Sequence, residues 1–116
     1  MTMENKDIIR LRHIIDSSNK IIEYVKTYLE TGEQSDLLSE AIERNLIIIG
    51  EAVRCLSDNL KTKNDHVPWQ SIIGFRHMLV HEYHHIDKEI LWDIAENKIP
   101  ELADWIENIL EKLEAK

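Results

Sequence analysis

Apolar residues recur at intervals of three and four along most of the chain, the spacing that places them on one face of an α-helix. The first such stretch runs from Asp7 to about Glu30, and the residues 31–33, Thr-Gly-Glu, have the character of a helix end. Ser18 fills the one gap in its apolar stripe. The predicted core positions of this helix are Ile8, Leu11, Ile15, Ile22, Val25 and Leu29.

A second amphipathic helix is predicted from about Asp36 to Asn59. Its centre, Leu46 to Ile49, is apolar nearly all round, which favours burial on two sides, by a neighbouring helix and by a second subunit. The single cysteine, Cys55, lies in this helix and is expected to be a small buried apolar residue. The predicted core positions are Leu38, Ile42, Leu46, Ile49, Val53, Leu56 and Leu60.

A short third helix and a longer fourth helix follow a polar, aperiodic segment at residues 61–67. Pro68 and Trp69 open a third helix that runs to about His81 or Tyr83, since proline is well tolerated at a helix start. Asp87 is a candidate N-cap for a fourth helix, which Pro100 must kink or split because proline lacks the backbone N–H. The core positions of the fourth helix are predicted to be Leu91, Ala95, Leu102, Ile106, Ile109 and Leu113.

The predicted fold is all-α, an up-and-down bundle of four to five helices that forms a single domain over residues 1–116. Three glycines and two prolines are too few for the turns of an all-β fold. A chain of 116 residues builds one core, so any deep cleft must be shared with a second copy. No apolar run is long enough for a membrane span and no leader pattern is present, so a cytoplasmic location is expected.

Charge limits the function classes. The chain has 22 acidic against 14 basic side chains and a formal charge of −8. Proteins that bind nucleic acid over a broad surface gain affinity through many Lys and Arg side chains. Any contact with nucleic acid is therefore expected to be local.

The candidate chemistry is concentrated in residues 74–85, GFRHMLVHEYHH, which hold four of the six histidines. Arg76 and His81 are five residues apart, about 140° on a continuous α-helix, so they converge only if the helix ends near His81. Arg76 would then bind a phosphate and His81 would move a proton. These are the components of a metal-free ribonuclease, in which a two-fold dimer would supply a second His81. The alternative is a purely structural role, in which Arg76 and His81 cap the end of the helix by binding its backbone carbonyls.

The spacing Arg76-x4-His81-x-Tyr83 resembles the Arg-x4-His-x-Tyr motif of the HEPN superfamily. The wider pattern resembles the HepT-like toxins within it, through residues 45–52 (NLIIIGEA), Val67-Pro68-Trp69, and residues 74–76 and 80–83. The resemblance implies a HEPN-like helical bundle and a metal-independent endoribonuclease without a cofactor, with Arg76 and His81 as catalytic residues in a dimer-interface cleft.

The same resemblance implies a type VII toxin-antitoxin system. The partner would be a cognate minimal, MntA-like nucleotidyltransferase that neutralises the toxin by AMPylation of Tyr83, and the substrate would be RNA. His77 departs from the family, which more often has Asn there, and is a candidate for positioning the substrate. His84 and His85 are additional. Outside the motif, Glu51 and Asn45 are candidates for lining the cleft. The alternative for Glu51, and for Arg44 on roughly the same face of the helix, is that the side chain faces solvent or pairs with another helix.

Two other functions compete. Residues 81–85, HEYHH, also satisfy the zinc-protease pattern H-E-x-x-H, but Ile86-Asp87 indicates a helix break where that motif needs a continuous helix. A chain this small also has little room for the third ligand and the substrate cleft. The second alternative is a non-catalytic helical adaptor or substrate-binding subunit of a nucleotidyltransferase, which suits the acidic surface.

Overall fold

The computed structural model describes residues 2–82 and 86–115, and the described part is almost entirely helical, with no strand. Tyr83, His84 and His85 lie outside the described residues, so the predictions for them stay predictions. The helices are α1 (Met3–Thr31), α2 (Asp36–Cys55), α3 (Asp58–Lys63), α4 (Trp69–His77), a π-helical turn π1 (Met78–Glu82), α5 (Lys88–Asp93), a second π-helical turn π2 (Ile94–Lys98) and α6 (Ile99–Glu114). The all-α prediction is confirmed.

The long helices α1 and α2 form the frame of the bundle. Gly32 ends α1 in the left-handed conformation, with φ of 74°, and its N–H donates to the carbonyl of Tyr28 at 2.7 Å. Helix α6 packs along α1, and α4 packs across α2. Within the described residues no helix is long and apolar enough to cross a membrane.

The buried line of α1 follows the predicted stripe in part. Leu11 and Ser18 are fully buried as expected, the predicted Ile15, Ile22 and Val25 are partly buried and pack against the core, and Ile14 and Ile21 are fully buried in addition. Of the predicted core positions, Leu29 is 69% exposed. Because α1 contacts both α2 and α6, its buried face is wider than the predicted apolar stripe.

The predicted core positions of α2 are confirmed from Ile42 to Leu60, yet the helix does not continue to Asn59. It ends at Cys55, Leu56 is extended, and Ser57 caps the separate helix α3 by accepting from the N–H of Leu60 at 3.2 Å. The buried Asp7 fixes this break, since its carboxylate accepts from the Ser57 N–H at 2.9 Å and from the Ser57 hydroxyl at 2.6 Å. The expectation that Cys55 is buried was wrong, because its side chain is exposed.

The fourth predicted helix is split near Pro100 as expected. It consists of α5, the π-helical turn π2 and α6, and the helical geometry changes from π to α just before the proline. The turn π2 ends at Lys98, two residues before Pro100, and the N–H of Ile99 donates to the carbonyl of Ile94, five residues back. The wider turn leaves room for the proline ring, which otherwise meets the carbonyl four residues before it. Trp92 lies on this segment and is buried, donating from Nε1 to the Ser39 hydroxyl at 3.0 Å.

Candidate functional site

The candidate site lies on the segment formed by α4 and π1. The buried Trp69 fixes the start of α4, because its Nε1 donates to the carbonyls of Lys61 and Asn64 at 3.2 and 3.0 Å. The chain stays helical through Glu82, within the predicted range, but the last five residues form a π-helical turn. In a π-helical turn each backbone hydrogen bond spans five residues instead of four, so each residue rotates less about the helix axis. The angle about the axis between Arg76 and His81 is therefore smaller than the value of about 140° in a regular α-helix.

His77 and His81 lie side by side at the solvent-facing end of this segment. Their ring centroids are 4.7 Å apart with the planes tilted by 46°, and both side chains are exposed. An imidazole exists in neutral and protonated forms near neutral pH. The pair therefore presents two groups to solvent that can accept or donate a proton.

In contrast to the two exposed histidines, Arg76 is mostly buried, with its side chain only 22% exposed. Its stem lies directly on Gly50 of α2, where a Cβ atom added to the glycine would be 2.2 Å from the Arg76 Cβ and 2.6 Å from the Cγ. Only glycine allows α2 and α4 to approach this closely. Gly50 is thus a site residue that the motif did not reveal, although an isolated glycine inside the apolar run Ile47-Ile48-Ile49 is the pattern of a close helix contact.

Glu51 holds the guanidinium of Arg76. Its Oε2 is 3.0 Å from Arg76 Nη2, while Arg54, one turn further along α2, donates to both carboxylate oxygens at 2.6 and 3.2 Å. Of the alternatives for Glu51, the structure shows the pairing with another helix. The hydrogen bond from Arg54 is the main cause that lowers the pKa of Glu51, and the charge of Arg76 adds to it. A lowered pKa means that the ion pair is complete above the ordinary carboxyl range and is lost only as pH falls through the lowered value.

Asn45 is buried on α2, where its Nδ2 donates to the carbonyl of Ala41 in its own helix at 2.9 Å. Its Oδ1 is buried without a partner among the described residues. The contacts described for Asn45 stay within α2 and do not include Arg76. Asn45 is thus a buried residue of α2, and its role in the cleft stays a prediction.

The described residues, 2–82 and 86–115, contain no group of three or more His, Cys, Asp or Glu side chains arranged to hold a metal ion. His85, the second histidine of the H-E-x-x-H pattern, lies outside them. The zinc hypothesis is therefore untested by the structure.

The described part of the chain is an all-helical bundle with an Arg-His segment, and sequence comparison identifies the family. The sequence model of the family described as “Ribonuclease HepT-like” matches residues 6–109. This match covers most of the chain, so the protein belongs to the HepT-like ribonuclease family. No solved structure shows a significant match.

Curated relatives agree with the family match. A protein of Caldanaerobacter subterraneus subsp. tengcongensis named “Putative RNase” is 38% identical over 103 residues, which cover 88% of this chain and 92% of the relative. Another “Putative RNase”, from Methanocaldococcus jannaschii, is 33% identical over 84% of this chain and 90% of its own. A “Probable ribonuclease HepT” of Thermococcus cleftensis is 32% identical over 60% of this chain and 63% of its own. The resemblance read from the motif is thereby confirmed at the level of the family.

The contact between Gly50 and Arg76 gives a stability prediction with a matched control. Gly50→Ala should lower the free energy of unfolding by about 1–3 kcal/mol, because the new methyl group forces the stem of Arg76 away from α2. Gly74→Ala on α4 should be neutral or stabilising, since a Cβ there meets nothing within 4 Å. Urea unfolding of the two variants measures the difference. Equal stability of the two variants would contradict the close contact.

Proposed function

We propose that this protein is a metal-independent endoribonuclease in which Arg76 binds the scissile phosphate and His81 transfers the proton. The observation that carries the proposal is the arrangement on α4 and π1. A half-buried arginine, held by Glu51, is followed on the same helical segment by two exposed imidazoles. This is the chemistry that cleavage of RNA requires, and it agrees with the names of the relatives.

RNA carries its own nucleophile, the 2'-hydroxyl, so cleavage needs a base, an acid and stabilisation of negative charge. A neutral imidazole takes the 2'-hydroxyl proton as the oxygen attacks phosphorus, and a protonated imidazole gives a proton to the departing 5'-oxygen. The products are a 2',3'-cyclic phosphate and a 5'-hydroxyl. Arg76 offers its planar set of donors to the phosphorane oxygens. His77, beside His81, positions the phosphate.

A homodimer completes the site in this proposal, since the His81 of each copy supplies one of the two proton transfers. Apolar side chains flank the site on both helices. Ile48 on α2 is 37% exposed and Val80 on π1 is 40% exposed. In the proposed dimer these two side chains lie in the contact between the two copies.

Substitution of the histidines tests the chemistry. His81→Ala should reduce kcat/KM for RNA cleavage by about 10²–10⁴-fold, the range for loss of a general acid or base. His77→Asn should reduce it less, because the amide still donates hydrogen bonds. His13→Ala, which removes an exposed imidazole from α1, is the matched control and should leave the rate unchanged.

A chelator should leave the rate of the wild-type protein unchanged, because the proposed mechanism uses no metal ion. Loss of all cleavage on chelation, or full activity of His81→Ala, would contradict the mechanism. A protein that binds a nucleotidyltransferase but cleaves no RNA would instead be the adaptor, which the formal charge of −8 favours.

We further propose that the protein is the toxin of a type VII toxin-antitoxin system, with a minimal nucleotidyltransferase as its antitoxin. The support is the family membership together with Tyr83, which follows His81 at the motif spacing. AMP on the Tyr83 hydroxyl would add bulk and negative charge two residues from His81 and repel the phosphate of RNA.

Intact mass measures this modification. After co-expression with the cognate nucleotidyltransferase, the protein should gain mass in increments of AMP and lose RNA cleavage. Tyr83→Phe should show neither change, whereas Tyr24→Phe, which alters a tyrosine on α1, should behave as wild type. Mass increments that persist in Tyr83→Phe would place the modification elsewhere.

A further inference from the structure

A groove of about 360 Å³ runs beside the proposed catalytic segment. One wall is α4, the opposite wall is the segment from π2 into α6, and Leu46 and Ile49 of α2 lie between them. The groove extends to Arg76. A ligand in it would therefore contact the same arginine that Glu51 holds.

The lining is mostly apolar and contains an aromatic side chain on each wall. Phe75 lies on α4, directly before Arg76, and Trp105 lies on α6. Both are half-buried, so each ring keeps part of its surface accessible. The ring of His66 meets Trp105 edge-on, at 6.2 Å between centroids and 83° between planes, which supports the indole from one side.

Few polar groups accompany these rings. Arg76 and Lys98 bring positive charge, and Glu101 brings a carboxylate. The lining of the groove thus has two cations against one anion in a chain whose net charge is −8, with Glu51 paired to Arg76 outside the lining. An apolar slot with a few converging polar groups is the usual form of a small-ligand site.

We propose that this groove binds one nucleobase of the RNA next to the scissile phosphate, an inference that rests on the proposed ribonuclease function. Single-stranded RNA is recognised by bases that stack on aromatic side chains, which Phe75 and Trp105 provide. The phosphate attached to a base in the groove lies toward Arg76, and Lys98 attracts a neighbouring phosphate. The groove thereby sets which nucleotide flanks the cleaved bond.

Glu101 gives the groove a base preference. A carboxylate accepts hydrogen bonds and donates none at neutral pH. It accepts a hydrogen bond from the exocyclic amino group of cytosine, adenine or guanine, whereas uracil offers a carboxylate only its ring N3–H. Bases that carry an amino group are therefore expected at this position in preference to uracil.

The test uses a DNA oligonucleotide with a single ribonucleotide, so that only one bond can be cleaved. The base on each side of that bond is varied, with an abasic residue as the extreme case. For the wild-type protein, KM should rise about ten-fold or more when one of the two flanking bases is removed, because stacking on the aromatic rings is lost.

Variants assign the effect to the groove. Trp105→Ala should abolish the difference between intact and abasic substrates, and Trp105→Phe should retain it, which separates loss of the ring from loss of the fold. Leu37→Ala, which removes an apolar side chain that is 78% exposed at the start of α2, is the matched control and should discriminate as wild type does.

Two results would overturn the proposal while leaving the ribonuclease function intact. One is cleavage of the abasic and intact substrates at equal KM. The other is a Trp105→Ala variant that loses its dimer but keeps base discrimination, which would make the groove a protein interface.

If the wild-type protein cleaves no RNA, the proposed ribonuclease function fails. A binding measurement then tests whether the groove is a nucleobase site. Titration with 3'-CMP should then shift the indole NMR signal of Trp105 more than that of the buried Trp69. An unchanged Trp105 signal would overturn the nucleobase site.

Discussion

The close approach of α2 and α4 at Gly50 is the constraint on which the site depends. The stem of Arg76 occupies the space that any other residue at position 50 would fill with its own Cβ atom. The next residue of α2, Glu51, then meets the guanidinium at 3.0 Å, and Arg54 holds Glu51 from the other side. One glycine and one carboxylate thus fix both the position and the orientation of the cation.

The local helix geometry supplies the remaining chemistry. A regular α-helix would separate Arg76 and His81 by about 140°, and the π turn after His77 narrows that angle. The imidazoles of His77 and His81, four residues apart on the same helical segment, are exposed and adjacent. An acidic protein can in this way offer a small cationic site, with the aromatic groove at its edge, without a basic surface elsewhere.

The sequence predicts those features that depend on local periodicity. The core of α2 and the split at Pro100 follow from spacing and from the chemistry of proline, and the structure confirms both. The full burial of Ile14 and Ile21 on α1 and the exposure of Cys55 were not predictable, because they depend on how several helices pack together. The π turn and the partner of Glu51 were not predictable either. The hydrophobic pattern does not distinguish a π turn from an α-helical turn, and it does not show which residue of another helix will meet Glu51. Gly50 was readable in principle, as a lone glycine in an apolar helix.

A double-mutant cycle on RNA cleavage tests most directly whether the Glu51–Arg76 pair organises the site. Glu51→Gln and Arg76→Lys are measured singly and together, with Arg54→Gln as the control that removes the other partner of Glu51. If Glu51 acts through the planar guanidinium, kcat/KM of the double variant should equal that of Arg76→Lys alone, and Arg54→Gln should have a small effect. Losses in kcat/KM that multiply independently would contradict the account.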